Sequence, residues 1–332
     1  MTAPLEVSGT AAEAQPEAGL AGVEAKAVEG RSLGQIAWRR LRRDKVALAG
    51  AAVIILLILV AIFAPLIVKL LGHPPLEFHY DQVDPDLQVS TGTFGGISPK
   101  FLFGVEPVNG RDVFSRVVYG SRISLLIAFL ATLLAVVLGT VAGVVAGYCG
   151  GWVDAVISRT MDVFLAFPVL LFALALAGVI TDGSFGLTGD TLRIITIIAI
   201  IGFTSWPYIG RIIRGQALSL REREFVDASR SLGARTPRIL RSEMLPNLVA
   251  PILVYSTLLI PTNILFEAAL SFLSVGIRPP TPSWGGMLSD ATHWFQIAPN
   301  FMLFPGLAIF VTVLAFNLFG DGLRDALDPR SR

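Results

Sequence analysis

The sequence predicts an all-α, polytopic integral membrane protein with six transmembrane helices. Hydrophobic residues make up 53% of its 332 residues and charged residues only 15%, whereas soluble chains carry about 25% charged residues. Six segments are almost free of charge and long enough to cross about 30 Å of hydrocarbon. They cover 46–68, 123–147, 163–180, 194–210, 244–277 and 301–320. Because backbone amides in lipid must be bonded within their own segment, each span is expected to be a helix.

The composition also excludes several classes of protein. A net charge of +1 excludes a strongly basic nucleic-acid-binding protein, so no nucleic acid is expected as a partner. The single cysteine, Cys149, excludes an internal disulfide framework and a thiolate metal cluster. His73 and His79 share a proline-rich loop, where two histidines are more often surface residues than metal ligands. No metal site and no catalytic residue are predicted.

The basic residues give the orientation, since Lys and Arg concentrate in cytoplasmic loops. With a cytoplasmic N-terminus, 19 of the 26 basic residues lie inside and seven lie outside. We therefore expect both termini in the cytoplasm. Residues 1–30 contain no large apolar run and are expected to be a disordered cytoplasmic tail. Residues 31–45 are expected to form a cytoplasmic amphipathic segment.

The first transmembrane helix is expected at 46–71, and 72–120 is expected to be an extracytoplasmic loop and pre-helix. Its part from 72 to 109 carries one lysine and five acidic residues, namely Glu77, Asp81, Asp84, Asp86 and Glu106. Together with Trp284 in the last external loop, it is expected either to meet a substrate-binding protein or to cap the helical bundle. The sequence leaves both alternatives open.

Residues 121–320 are expected to form a five-helix core. In the first of these helices, small residues recur every four positions along one ridge and allow another helix to approach closely. They are Ala131, Ala135, Gly139, Gly143 and Gly147. The spacing does not say whether the neighbouring helix belongs to the same chain or to another subunit.

The longest cytoplasmic connection, 217–247, predicts a helix, a glycine turn and a second short helix. Ser219 is a candidate N-cap, Gly233 suits a left-handed helix end, and Thr236-Pro237 suits the start of the second helix. A narrow stripe of apolar and small residues runs along the first helix: Phe225, Ala228, Ser229 and Leu232. A basic loop that only fixed the topology would not need these features, so we expect a helix that docks into a groove of a partner.

This connection resembles the EAA motif of bacterial ABC importer permeases. The resemblance rests on Asp227-Ala228-Ser229, on Gly233 four residues later, and on Leu245-Pro246. Asp replaces the first Glu and Ser replaces the second Ala, which keeps charge or size. In that family the loop forms a coupling helix that sits in a cleft of the ATPase subunit. The resemblance therefore implies an ATPase-coupling role for Phe225, Asp227, Ala228, Ser229, Gly233, Leu245 and Pro246.

Three further segments, 109–125, 279–288 and 320–330, are similar to C-type permeases of the dipeptide, oligopeptide and nickel ABC importers. The similarity implies the type I ABC importer permease fold in a bacterial cytoplasmic membrane, with 321–332 as a cytoplasmic tail. It also implies a homologous B-type permease, two ABC ATPase subunits and an extracytoplasmic substrate-binding protein as partners, besides membrane lipid. The chain has no G-x-x-x-x-G-K-[ST] phosphate loop, so ATP and Mg²⁺ are expected on the partner ATPases and no cofactor on this chain.

Four polar residues in or beside the predicted spans are candidates for the translocation pathway or for bonds between helices: Glu267, Asn263, Asn317 and Asp162. A carboxylate within a span is costly and by default faces a cavity or a partner. For Glu267 we favour a bond to a neighbouring helix, because the residues around it are bulky and apolar. A role in the pathway stays open.

The sequence thus predicts the transmembrane subunit of an ATP-driven importer for di- or oligopeptides or a related small solute. This subunit would form half of the pathway, and its 219–246 element would transmit the motion of the ATPase. One alternative is an ion-coupled secondary transporter, which would show paired broken helices in two repeated halves. Another is a non-transporting membrane scaffold or sensor.

Overall fold

The computed structural model describes residues 33–179, 189–273 and 275–328. Within these ranges the α-helices are α1 (Leu33–Leu41), α2 (Lys45–Ile62), α3 (Ala64–Leu71), α4 (Val113–Cys149), α5 (Gly151–Ala166), α6 (Val169–Val179), α7 (Gly189–Arg221), α8 (Glu224–Ser231), α9 (Thr236–Ile239), α10 (Leu245–Phe272), α11 (Trp284–Ala291) and α12 (Pro299–Leu327). The predicted tail at 1–30 and the last four residues of the chain lie outside the described residues.

Five stretches of the described chain are long and apolar enough to cross a membrane. They are α2, α4, α7, the stretch Thr236–Phe272 that ends with α10, and α12. Helices α5 and α6 form a sixth span if the pair is counted together, although it is bent by 83°. The predicted all-α class is therefore confirmed, with five spans or six if the bent pair is one span.

Proline explains where two of the predicted spans are interrupted. Pro65 lies in the first turn of α3, and α2 ends just before it at Ile62. Phe167 is extended (φ −78°, ψ 133°) and ends α5, because Pro168 disfavours the helical conformation in the residue before it. The third span therefore differs from the straight helix expected at 163–180: it begins at Gly151 and breaks at Phe167.

Proline also lies inside several of the uninterrupted helices. Pro207 lies in α7, Pro251 and Pro261 lie in α10, and Pro305 lies in α12. Each removes one backbone hydrogen bond and favours a bend. Helix α4 contains no proline along its 37 residues.

The centre of the bundle is the contact between α4 and α7. The ridge of small residues on α4 meets α7 directly: a Cβ on Gly143 would lie 2.6 Å from the carbonyl oxygen of Gly210. A Cβ on Gly147 would lie 2.6 Å from the Cβ of Ala217. The helix that approaches this ridge therefore belongs to the same chain, which resolves the alternative that the spacing left open.

Helix α12 holds the N-terminal helices against the bundle. Ala37 and Leu41 of α1 pack with Ala326 of α12 in a small cluster of buried residues. A Cβ on Gly50 of α2 would lie 2.8 Å from the carbonyl oxygen of Ala315 in α12. The predicted amphipathic segment is therefore attached to the bundle by its apolar side, and Trp38 remains exposed on its other side.

The segment between α3 and α4 is fastened to the N-terminal end of α4 by a buried ion cluster. Glu106 pairs with Arg111 and with Arg116, where Nε lies 3.0 Å from Oε2. The Arg116 side chain also donates to the carbonyl of Pro280 at 3.1 Å. Trp284 is only 1% exposed, and its Nε1 donates to the carbonyl of Val117 at 3.0 Å. Trp284 and Glu106 thus belong to a cap over the bundle and do not lie on an external binding surface.

Candidate functional site

The connection between α7 and α10, which the sequence predicts to be cytoplasmic, is the candidate site. It consists of α8, a turn, α9 and a π-helical turn, Leu240–Met244. Its boundaries differ from those predicted at two points. Ser219 is not an N-cap, because α7 continues to Arg221 and Arg223 occupies the cap position of α8. Thr236 is the first residue of α9, and Arg235 takes the cap position before it.

An apolar contact fastens helix α8 to the transmembrane bundle. Val226 is 0% exposed and packs in a small apolar cluster with Ala217, Ile239 and Met244. Because Ala217 belongs to α7 and Met244 leads into α10, the cluster ties α8 to both neighbouring spans. The predicted stripe did not include Val226.

The predicted stripe faces away from the helical bundle and is exposed. Leu232 is 88% exposed and Phe225 is 37% exposed, and Ala228 lies between them and is also exposed. Since burial of large apolar residues is favourable, a stripe of this kind on the outside of an anchored helix marks a surface for a partner.

The turn after α8 has the geometry expected of its glycine. Gly233 has a φ of +78°, which glycine adopts at little cost. The amide of Ala234 donates to the carbonyl of Ser229 at 3.0 Å and so closes the helix end. Beside this turn lies a cavity of ≈ 380 Å³, lined by Ser229, Leu232, Gly233, Ala234, Arg238, Ile239 and Glu243. A partner's side chain can enter there next to the exposed Leu232.

Arg230 connects α8 to the C-terminal end of α4. Its Nε donates to the hydroxyl of Tyr148 at 3.4 Å, and its guanidinium lies 5.1 Å from the centre of the Tyr148 ring. Its Nη1 lies 3.2 Å from Oδ1 of Asp227. The hydrogen bond to Tyr148 raises the pKa of Arg230, with Asp227 adding to the effect, so the side chain stays cationic. The sequence did not suggest this link, because Tyr148 lies 82 residues away.

Leu245 and Pro246, the last residues of the predicted coupling motif, form the first turn of α10. Both are exposed. Proline is well tolerated at this position because the first amides of a helix have no intrahelical acceptor. They complete the cytoplasmic surface that α8 begins.

Two ion pairs join α5 to α7. Asp154 accepts two hydrogen bonds from Arg214, one of them at 2.6 Å from Nη2. Asp162 lies 2.6 Å from Nη2 of Arg211, and both of these side chains are about half exposed. Asp162 is therefore placed as an interhelix partner. The pair of Asp154 and Arg214 was not predicted. The signal for it in the sequence was that each residue is a charge close to a span, where a charged side chain is expected to have a partner.

The polar residues of α10 make bonds between helices. Glu267 is 0% exposed, accepts from Ser271 of the same helix at 2.8 Å, and also interacts with Ser124 of α4. Asn263 donates to Thr132 of α4 at 2.8 Å, and its carbonyl oxygen accepts from Ser205 of α7 at 3.3 Å. Among the described residues no Lys or Arg forms an ion pair with Glu267. Asn317, by contrast, lies on the exposed surface of α12.

In the described part of the chain, no three His, Cys, Asp or Glu side chains form a group that could hold a metal ion. His73 stacks on Phe101 with ring centres 4.5 Å apart and meets His79 at 4.8 Å. The two histidines are half-buried and pack against the outer loop.

Known proteins resemble this chain over most of its length. A family model described as a binding-protein-dependent transport system inner membrane component matches residues 139–332. A second, described as the N-terminal transmembrane domain of oligopeptide transport permease C, matches residues 32–90.

Curated relatives align over nearly the whole chain. The dipeptide transport system permease protein DppC of Alkalihalophilus pseudofirmus is 40% identical over 296 residues, which is 89% of this chain and 90% of the relative. The glutathione transport system permease protein GsiD of Salmonella typhimurium is 45% identical over 295 residues, 88% of this chain and 89% of the relative. A chain of the MetNI methionine ABC transporter, in an inward-facing conformation, superposes with a TM-score of 0.52 at 19% identity. This match covers 65% of the present chain and 97% of that chain, and it shows a shared fold.

Proposed function

The chain belongs to the family of binding-protein-dependent transport system inner membrane components, and on that premise we propose that it forms half of the translocation pathway of a peptide importer. It is a permease subunit of a bacterial ABC importer, located in the inner membrane, and ATP hydrolysis resides in its partner subunits. The relatives named for dipeptides and glutathione support a di- or oligopeptide, including glutathione, as the substrate.

The observation that carries the proposal is the position of α8. Val226 fixes this helix to α7 and α10, while Phe225 and Leu232 on its outer side are exposed to the cytoplasm. A helix that is anchored to two spans and presents an apolar stripe to a partner can convert the partner's movement into movement of the spans. We propose that Phe225, Asp227, Ala228, Ser229, Gly233, Leu245 and Pro246 form the ATPase-coupling surface.

The assembly proposed around this chain has three kinds of partner. A homologous second permease supplies the other half of the pathway, two ATPase subunits bind ATP and Mg²⁺ and dock on the coupling surface, and an extracytoplasmic binding protein delivers the substrate. The excess of basic residues on the α8 side supports cytoplasmic N- and C-termini.

The polar residues of the spans are given different roles in this proposal. Glu267 and Asn263 stabilise the contacts of α10 with neighbouring helices, and Asp162 stabilises the contact between α5 and α7. Ala135, Gly139, Gly143 and Gly147 allow α4 and α7 to pack closely. Asn317 is the remaining candidate for contact with the partner permease or the solute, because its amide is exposed within a span.

The proposal is tested by reconstituting the chain with its partner permease, ATPases and binding protein in liposomes. We expect uptake of labelled dipeptide or glutathione that requires ATP. Leu232→Asp places a charge on the coupling surface and is expected to weaken ATPase binding by about 2 kcal/mol or more, as loss of an interface hot spot does. Uptake and recovery of the ATPases with the complex should fall together.

Leu87→Asp is the matched control, because Leu87 is similarly exposed (68%) but lies in the extracytoplasmic loop. It should leave ATPase recovery unchanged. Uptake by the purified chain in an ion gradient without ATPases would instead show a secondary transporter. An assembled complex that moves no solute would support the scaffold or sensor alternative.

A further inference from the structure

A groove between α2, α4, α10 and α12 combines a few polar residues with an apolar lining, which matches the headgroup and acyl chain of a lipid. Its volume is ≈ 780 Å³. Its polar lining residues are Tyr119, Arg122 and Thr281, and its other lining residues, which include Phe129, Ile260 and Phe316, are apolar. The groove is therefore polar at one place and apolar elsewhere.

The polar residues lie together at the extracytoplasmic end. Arg122 immediately precedes the uncharged run that starts at Ile123, and Thr281 belongs to the external loop before α11. Phe129 lies seven residues further along α4, about 10 Å closer to the middle of the bilayer at 1.5 Å per residue. The groove thus runs from the level of the lipid headgroups into the hydrocarbon of the outer leaflet.

Arg122 lacks a counter-ion in this position. Its side chain is exposed, and its guanidinium lies 5.8 Å from the centre of the Tyr119 ring. Within the described residues no carboxylate forms an ion pair with it. The hydroxyl of Thr281 donates to Asp190, which leaves Arg122 and the Tyr119 hydroxyl as the donors that a ligand can use.

We propose that this groove binds an anionic glycerophospholipid, with the phosphate on Arg122 and Tyr119 and one acyl chain along Phe129 and Phe316. Arginine forms strong, charge-assisted hydrogen bonds with phosphate, and the apolar lining accepts a chain that would otherwise lie in bulk lipid. The volume falls within the range of small-ligand sites, about 300–1,000 Å³. A transmembrane helix of a partner would leave Arg122 facing an apolar surface, which is costly for a charged side chain.

The test uses the assembled complex in nanodiscs that contain phosphatidylcholine and a minor fraction of phosphatidylglycerol. The photo-reactive amino acid benzoylphenylalanine is placed at Phe129, inside the groove, or at Val137, which is exposed on the same helix outside it. After illumination, mass spectrometry identifies what is attached to the chain. We expect phosphatidylglycerol adducts at position 129 to exceed those at 137 by about fivefold, which corresponds to the attraction of one arginine to an anionic lipid surface.

Arg122→Gln should remove this preference, and Arg122→Lys should keep most of it. Recovery of the partner permease shows whether each variant still assembles. If the Arg122→Gln variant does not assemble, the proposal is tested by the comparison of lipid adducts at positions 129 and 137 in the chain that keeps Arg122. Equal lipid adducts at both positions, or equal labelling by the zwitterionic and the anionic lipid, would overturn the proposal. So would attachment of position 129 to a helix of the partner permease.

Discussion

The conformation of Gly233, and not the space around it, limits which residues can replace it. Its φ is +78°, and a Cβ at this position would meet no atom within 4 Å. A side chain therefore fits sterically, but L-residues adopt this backbone conformation only at a cost of about 1–2 kcal/mol. Asparagine adopts it more readily than most residues, and β-branched residues are the least suited.

We predict that Gly233→Val reshapes the turn between α8 and α9 and uncouples ATP hydrolysis from transport. Gly233→Asn is the matched control and should keep coupling near that of the unchanged chain. The measurement is the amount of peptide imported per ATP hydrolysed in the reconstituted complex. An unaltered ratio in the valine variant would argue against a role of this turn in coupling.

Substitutions of Glu267 test whether this residue stabilises the helical bundle or belongs to the translocation pathway. Glu267→Gln keeps an oxygen that can accept from Ser271, so the thermal unfolding midpoint of the purified complex should change little. Glu267→Ala removes the acceptor and leaves a cavity, and we expect it to cost about 2 kcal/mol. Thr262→Ala, at an exposed position of the same helix, is the control. If the glutamine variant stays stable but stops transport, Glu267 belongs to the pathway.

Val226 shows where residue patterns alone fail. The apolar and small stripe from Phe225 to Leu232 was expected to be the packing side of α8, in the sense that it would be buried by a partner. The structure adds that the same helix needs a second apolar contact to hold it on its own chain, and Val226 provides it. A single buried valine in a helix of eight residues gives no periodic signal, so the sequence could not identify it.

The contact between α4 and α7 permits a prediction about whole helices. Gly143→Ala places a Cβ 2.6 Å from the Gly210 carbonyl oxygen and 3.0 Å from the amide nitrogen of Arg214. Backbone atoms cannot rotate away, so the helices must separate, at an expected cost of about 1–3 kcal/mol. Gly215→Ala on α7 is the matched control, because no atom lies within 4 Å of its Cβ. It should be neutral or slightly stabilising.

The measurement is the thermal unfolding midpoint of the complex in detergent. The Gly143 variant should unfold at a lower temperature than the Gly215 variant. Equal midpoints would show that the two helices can move apart at no cost.

Charge-free length located the helices well and their ends less well. The fourth span was expected to end at residue 210, but α7 continues to Arg221. The charge-free length marks the part of a helix that lies in lipid. The helix itself can continue beyond that part through arginine residues. Arg211 and Arg214 are accommodated because Asp162 and Asp154 on α5 pair with them. These partners come from a different helix, so a window along one segment cannot reveal them.

For the whole molecule, the sequence was sufficient for the fold class and for the permease family. Both follow from local properties, namely apolar length, the positions of arginine, and short motifs. The roles of Trp284 and Glu106 did not follow, because each is decided by contacts with residues far away in the chain. Trp284 is buried by bonding to Val117, 167 positions before it, and Glu106 is buried because Arg111 and Arg116 neutralise it.

The absence of proline from α4 has a mechanical consequence. This helix is about 55 Å long at 1.5 Å per residue, whereas α7, α10 and α12 each contain a proline at which they can bend. Its cytoplasmic end is bonded through Tyr148 to Arg230 of α8, and its outer end is bonded through Val117 to Trp284. We infer that α4 bends less than the neighbouring helices α7, α10 and α12. A movement of α8 would then be transmitted along α4 to the residues around Trp284 that cover the other end of the bundle.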